Sequence, residues 1–208
     1  MERSGRYSRH QSVMLSYRPR ASTHHLKRRR LLSSLPDDAG YVVWLEAPYG
    51  YGKSVLASHW ADELENSGWR VLWTAVQGRE PKALVAQVLE LPTSAPWGLL
   101  LEALWSEPTL LVIEDLETLE DHESLSPFLK DIGGLVLLAS RGPLTSSELP
   151  RLVTAGRLVH LTGEALVFSQ AEAAALYGDE YCDPDVFNDA VAAACRNRGA
   201  AQGAGDPS

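Results

Sequence analysis

A glycine-rich octapeptide in the first quarter of the chain has the residue types of a phosphate-binding loop. It reads Ala47-Pro48-Tyr49-Gly50-Tyr51-Gly52-Lys53-Ser54. Glycines let the backbone curl so that successive N–H groups point at phosphate oxygens. Lys53 would add a positive charge near the β- and γ-phosphates, and Ser54 would offer a hydroxyl to Mg²⁺. The strict pattern has a glycine where Ala47 stands, so a glycine-rich turn with a solvent-facing lysine is the alternative interpretation.

The segments on either side of the octapeptide favour the phosphate-binding interpretation. Residues 41–45 are a continuous run of strand-forming apolar residues, which is typical of a strand buried on both faces. Residues 55–65 show apolar side chains at helical spacing. A helix that starts directly after the loop presents free N–H groups and the positive end of its dipole to an anion. The candidate nucleotide-binding residues are therefore Ala47, Gly50, Tyr51, Gly52, Lys53, Ser54 and Val55.

Two acids follow a later apolar run and could serve a metal ion and a water molecule. The run 109–113 ends in Glu114-Asp115, as in the Walker B element of nucleotide-hydrolysing proteins. One acid would hold the Mg²⁺ shell, and the other would orient or deprotonate the attacking water. The more usual order is Asp-Asp or Asp-Glu, so the sequence leaves open which residue serves the metal. A solvated acidic turn that continues into Glu117, Glu120 and Asp121 is the alternative.

An arginine follows the next predicted strand, residues 135–139. Because the carboxyl ends of parallel strands lie at one edge of a sheet, we expect Arg141 to lie beside Lys53. Arg141 could sense the γ-phosphate or pair with the acids, and a structural salt bridge to a loop acid is the alternative. The candidate catalytic residues are therefore Glu114, Asp115 and Arg141. The candidate metal ligands are Ser54, Glu114 and Asp115.

Strand-like segments at 71–76 and 157–161 complete a pattern of five strands separated by helix-length segments. This alternation predicts an α/β fold with a mainly parallel sheet and helices on both faces. Ser169 and Glu172 have the spacing of a capping box at the start of a later helix. We divide the chain into a basic N-terminal arm (1–23), an α/β domain (24–165), a helical extension (166–198) and a tail (199–208). A last helix is expected near 185–196. The tail has low complexity and is expected to be disordered.

Composition excludes several classes of protein. The chain has 208 residues, a net charge of −8 and two cysteines, too few for a disulfide framework or a zinc site. No apolar run approaches the roughly 18 residues of a membrane span, and Arg3, Arg6 and Arg9 lead into no hydrophobic signal core. Residues 1–30 hold nine of the 19 Lys+Arg and one of the 27 Asp+Glu. We interpret them as a solvated tail followed by a helix with an exposed Lys27–Arg30 face, a nucleic-acid-binding arm being the alternative. A soluble, cytoplasmic protein is predicted.

These motifs resemble the nucleotide-binding domain of MalT-like regulators, the LuxR-type, ATP-dependent transcription activators of the STAND class. The resemblance covers about residues 15–178. It comprises the segment from Arg18-Pro19-Arg20 to Leu35, the loop without its first glycine, the paired acids, Ser140-Arg141, and a "Leu-x-Phe-Ser-x-x-Glu-Ala" helix start at Leu166–Ala173.

The resemblance implies a P-loop NTPase three-layer sandwich with the strand order 5-1-4-3-2, which switches between ATP and ADP with Mg²⁺ and hydrolyses ATP slowly. Whole family members continue into a winged-helix lid, a helical-repeat sensor and a helix-turn-helix, and the sequence has none of these. We therefore expect a truncated member, a fragment or a stand-alone nucleotide-binding module. We expect a nucleotide ligand, a regulatory protein or a second copy as partner, no specific DNA binding by this chain alone and no membrane association. A non-catalytic remnant or interaction module is the alternative; a small kinase or transferase is disfavoured, because no acceptor-binding lid is evident.

Overall fold

A computed structural model of the chain describes Arg18 and residues 26–177. Within these residues five strands form one sheet in the order β2-β3-β4-β1-β5, and the four neighbouring pairs are all parallel. This is the order 5-1-4-3-2 that the resemblance implies, and the predicted five-stranded parallel sheet is confirmed. The strands are β1 (Tyr41–Glu46), β2 (Arg70–Ala75), β3 (Thr109–Glu114), β4 (Leu135–Ser140) and β5 (Leu158–Thr162).

Helices cover both faces of the sheet and make a three-layer sandwich. Side chains of β1 alternate between two apolar clusters, Val42 and Trp44 in one, and Val43 and Leu45 in the other. The helices are α1 (Arg29–Leu32), α2 (Lys53–Asn66), α3 (Pro81–Val88), α4 (Trp97–Leu104), α5 (Ser126–Lys130), α6 (Glu148–Thr154), α7 (Gly163–Leu166) and α8 (Gln170–Tyr177). Residues of α3, α4, α5 and α6 belong to the first cluster, and residues of α1, α2 and α7 belong to the second.

Strands β3 and β4 each extend one residue beyond the predicted end. The Glu114 carbonyl accepts a hydrogen bond from the N–H of Val76 at 2.9 Å, and the Ser140 carbonyl accepts one from Ala47 at 3.2 Å. These bonds continue the parallel ladders, so Glu114 is the last residue of its strand and Asp115 begins the following turn. The two acids therefore have different backbone environments.

The basic segment before β1 differs from its prediction. Helix α1 is a single turn, and Arg28 is buried, with 3% of its surface exposed. Its guanidinium donates to the carbonyls of Leu166 (2.7 Å) and Val167 (2.8 Å) and pairs with Glu172 (3.1 Å). The prediction of an exposed Lys27–Arg30 face is therefore wrong for Arg28, because this side chain reaches across to the helical extension.

The start of the helical extension matches the predicted capping box. The N–H of Ser169 donates to the Glu172 carboxylate at 2.9 Å, and the N–H of Glu172 donates to the Ser169 hydroxyl at 3.2 Å. The predicted helix near 185–196, the tail 199–208 and nearly all of the basic arm lie outside the described residues. In the part of the chain that the structure describes, no helix has the length and apolar character needed to cross a membrane.

Candidate phosphate-binding site

The octapeptide forms a loop that leads from β1 into α2. Gly50 and Gly52 have φ values of +92° and +78°, a backbone region that side chains disfavour. Gly52 is the N-cap of the 14-residue helix α2, and among the described residues no side chain caps its first turn. The first N–H groups of α2 thus remain open to an anion. A Cβ atom built at Gly52 would meet no described atom within 4 Å, so the backbone angle rather than crowding calls for glycine.

Lys53 folds back over the loop instead of extending into solvent. Its Nζ atom donates to the carbonyl oxygens of Ala47 at 2.5 Å and Pro48 at 3.0 Å. Burial lowers the pKa of Lys53, and the nearby charge of Glu117 partly offsets that effect. The ammonium group is thus desolvated and held by neutral acceptors, for which a phosphate oxygen would be a stronger, charged replacement.

Glu114 lies at the end of β3 against the start of α2. Its Oε2 atom accepts a hydrogen bond from Nε1 of Trp73 at 2.9 Å, and its carboxylate also accepts one from the Ser54 hydroxyl. Burial raises the pKa of Glu114 despite these two hydrogen bonds. Glu114 and Ser54, two of the three predicted metal ligands, are therefore direct neighbours.

Asp115 turns the chain away from the strand. Its φ of +58° is in the left-handed region, which aspartate tolerates better than most residues. Burial raises the pKa of Asp115, and the charge of Glu117 raises it further. Arg141 and Lys53 act in the opposite direction. Asp115 is thus close enough to both cations of the site to interact with them electrostatically.

Arg141 pairs with Glu117, an acid for which the sequence indicates only a place in a solvated turn. Its Nε atom lies 2.6 Å from Oε1 of Glu117, and its backbone N–H donates to Oε2 at 3.3 Å. The guanidinium carbon lies 5.6 Å from the centre of the Tyr49 ring. In this structure Arg141 therefore makes the loop salt bridge that the alternative interpretation describes. The sequence contains a signal for this pair. Glu117 follows β3 and Arg141 follows β4, and neighbouring parallel strands bring the residues that follow them to the same edge of the sheet.

These side chains surround a small pocket of about 70 Å³. Both cations of the pocket already have partners, Lys53 in the loop carbonyls and Arg141 in Glu117, so a phosphate that binds them would replace those partners. Tyr51 and Val55 are half-buried and do not line the pocket, and Ala47 contributes its carbonyl to Lys53. The lining residues are Tyr49, Lys53, Ser54, Glu114, Asp115, Glu117, Ala139 and Arg141.

The donor set fits a magnesium ion that is shared with phosphates. Among the described residues no group of three or more His, Cys, Asp or Glu side chains is placed to hold a metal ion. Mg²⁺ in nucleotide sites needs only one or two protein oxygen ligands, because phosphates and water supply the others. The Ser54 hydroxyl beside the Glu114 carboxylate meets that requirement.

Comparison with solved structures identifies the fold. The chain matches a Signal Transduction ATPase with Numerous Domains (STAND) protein with a tetratricopeptide repeat sensor from Pyrococcus horikoshii (TM-score 0.57, 18% identity, 82% of this chain and 28% of that chain). It also matches Cdc6p from Pyrobaculum aerophilum (0.49, 18%, 70% and 47%) and the ORC2 protein from Aeropyrum pernix (0.42, 14%, 78% and 53%).

Together with the strand order, the first match shows that the chain has the α/β P-loop NTPase fold. The chain spans between 28% and 53% of the length of these three structures. No protein-family model and no curated protein sequence matches it.

Proposed function

We propose that this chain is the Mg–ATP/ADP-binding P-loop domain of a STAND regulator of the MalT-like type, a nucleotide switch with at most slow ATP hydrolysis. One observation carries the proposal. The uncapped start of α2, which contains Lys53 and Ser54, follows two glycines with left-handed backbone angles and lies beside Glu114 at one edge of the sheet. Backbone N–H groups, an ammonium group and a carboxylate–hydroxyl pair are the groups that a magnesium-bound polyphosphate requires.

Five polar side chains of the site have roles in this proposal. Lys53 exchanges the two loop carbonyls for β- and γ-phosphate oxygens. Ser54 and Glu114 hold Mg²⁺, which neutralises phosphate charge when it is bound. Asp115, at the turn after the strand, orients the attacking water, and Arg141 reaches the γ-phosphate.

The proposed regulator acts in the cytoplasm through a regulatory protein or a second copy, and this chain does not itself read DNA. The similar Pyrococcus horikoshii protein has a tetratricopeptide repeat sensor, a kind of module that contacts other proteins through its concave surface. Four of the five described Lys and Arg residues before β1 pair with acids of the same chain. These pairs are Arg18 with Asp62 and Glu65, Lys27 with Glu63, and Arg28 and Arg30 with Glu172.

Calorimetric titration tests the proposal directly. ADP and a non-hydrolysable ATP analogue should each bind the full chain at one site, and the analogue should bind more tightly when Mg²⁺ is present. Omitting Mg²⁺ and titrating with adenosine alone provide the controls, since neither supplies the complete set of contacts. If neither nucleotide binds, the chain is instead the remnant or interaction module that the sequence left as an alternative.

The two adjacent acids should respond differently to neutralisation. Glu114→Gln removes a carboxylate beside Ser54, so we expect the magnesium-dependent part of nucleotide affinity to fall about tenfold or more. Asp115→Asn should spare affinity and reduce phosphate release about a hundredfold, because proton transfer and water orientation act in the transition state. Magnesium titrations and single-turnover phosphate release measure the two effects. Wild-type behaviour of both variants would show that neither acid takes part in magnesium binding or turnover.

A further inference from the structure

Glu117 binds Arg141 at two points and lines the same pocket as the proposed catalytic acids. One carboxylate oxygen pairs with the guanidinium and the other accepts the backbone N–H of Arg141. The Glu117 side chain is 22% exposed, whereas that of Arg141 is 55% exposed. The proposed function gives Glu117 no role, although it is the third carboxylate of the pocket.

The turn that carries Glu117 is fixed on both sides. Leu116 is fully buried in the apolar cluster on one face of the sheet. The hydroxyl of Thr118 donates to the carbonyl of Asp115 at 2.8 Å and accepts the N–H of Gly78 at 3.3 Å. Because both neighbours are anchored, Glu117 is held next to the end of β4, and Arg141 is the more exposed partner of the pair.

The pairing affects a triphosphate and a diphosphate differently. The pocket contains two cations, Lys53 and Arg141, and three carboxylates. A γ-phosphate that reaches Arg141 must displace Glu117 or lie close to its negative charge, and both cost binding free energy. A diphosphate has no γ-phosphate and leaves the pair intact. The acid therefore lowers the affinity for ATP more than that for ADP, on which it acts only through its charge near Lys53.

We propose that Glu117 sets the preference of the site between ATP and ADP by holding Arg141 until a γ-phosphate replaces it. This inference rests on the proposed function and adds the residue that distinguishes the two nucleotide states. In this proposal the Glu117–Arg141 pair is intact when ADP is bound and is released when ATP is bound.

Binding of ADP and of a non-hydrolysable ATP analogue to Glu117→Gln tests the inference. Glutamine keeps the size of the side chain and removes its charge. We expect affinity for the analogue to rise about five- to tenfold, the range for a partly exposed ion pair plus relief of repulsion. Affinity for ADP should stay within about twofold. Glu120→Gln makes the same charge change at an exposed position outside the pocket, and should leave both affinities unchanged.

A second background shows whether Arg141 mediates the effect. In Arg141→Gln the substitution Glu117→Gln should improve analogue binding much less than in the wild type, because the cation for which the two anions compete is absent and only the relief of repulsion remains. An equal gain for ADP and the analogue, or a gain of the same size without Arg141, would overturn the inference while nucleotide binding itself stands. Absence of binding of both nucleotides to the wild-type chain would overturn the proposed function and this inference together.

Discussion

Replacing Lys53 by alanine should abolish the stabilisation that Mg–ADP or Mg–ATP gives to the folded chain. A ligand at a hundred times its dissociation constant stabilises the folded state by about 2.7 kcal/mol. Without the ammonium group the phosphates lose the cation at the centre of the loop, and we expect the thermal midpoint of the variant to be unchanged by nucleotide. The nucleotide-free variant should still fold, because in this structure Lys53 donates to two loop carbonyls rather than to an acid.

A second lysine provides the matched control. Lys130 lies at the end of α5 with an exposed side chain, so Lys130→Ala makes the same charge change away from the pocket. Its midpoint should rise with nucleotide as in the wild type, as measured by differential scanning fluorimetry with and without Mg²⁺. Equal rises in wild type and Lys53→Ala would show that the octapeptide is a turn and not a phosphate-binding loop.

The features that local patterns encode could be predicted from the sequence. Strand β1 is a nearly continuous apolar run, because a strand that is buried on both faces needs apolar side chains at successive positions. Glycines at 50 and 52 predict a loop with a curled backbone, and in the structure both have positive φ angles. The order of the strands came from the resemblance to a family, because the apolar runs alone do not state which strands are neighbours.

The partners of charged residues could not be predicted in the same way. A run such as Lys27–Arg30 has the same local pattern whether its side chains are solvated or paired, and Arg28 finds its acid 144 residues later in the chain. Glu117 belonged to an acidic stretch that is typical of a solvated turn. Its pairing with Arg141 depends on the left-handed backbone of Asp115 and on two strands ending side by side. Such pairs depend on tertiary geometry, which spacing along the sequence does not record.

The pairing of Arg28 with Glu172 should be the most costly ion pair to break among those described. The Arg28 side chain is 4% exposed and that of Glu172 12% exposed. Arg28→Met preserves an apolar stem but removes the donors to two carbonyls and to the carboxylate. We expect a loss of about 3 kcal/mol in the free energy of unfolding, as when one partner of a buried pair is removed. Urea denaturation of the two proteins measures this difference.

The effect should depend on pH because Glu172 titrates. Burial alone would raise the pKa of Glu172, but hydrogen bonds from Arg28 and from the N–H of Ser169, with the charges of Arg28 and Arg30, outweigh it and lower the pKa. A carboxyl whose pKa is lower in the folded state contributes its stabilisation above its unfolded value, about 4.3. That contribution is lost as the pH falls through the folded value. The stability gap between wild type and Arg28→Met should therefore be constant near neutrality and narrow as the pH falls toward the lowered pKa of Glu172 in the folded wild type.

A variant of the neighbouring Arg30 separates the effect of burial on stability from the effect of charge. Arg30 contacts the same carboxylate at 3.4 Å and also the Val167 carbonyl, but its side chain is 48% exposed. Arg30→Met makes the same chemical change and should cost no more than about 1 kcal/mol, because water replaces the lost contacts. Similar losses for the two variants would show that the pair acts as an ordinary surface contact. A large loss for Arg28 alone would show that a buried charge joins the segment before β1 to the start of α8.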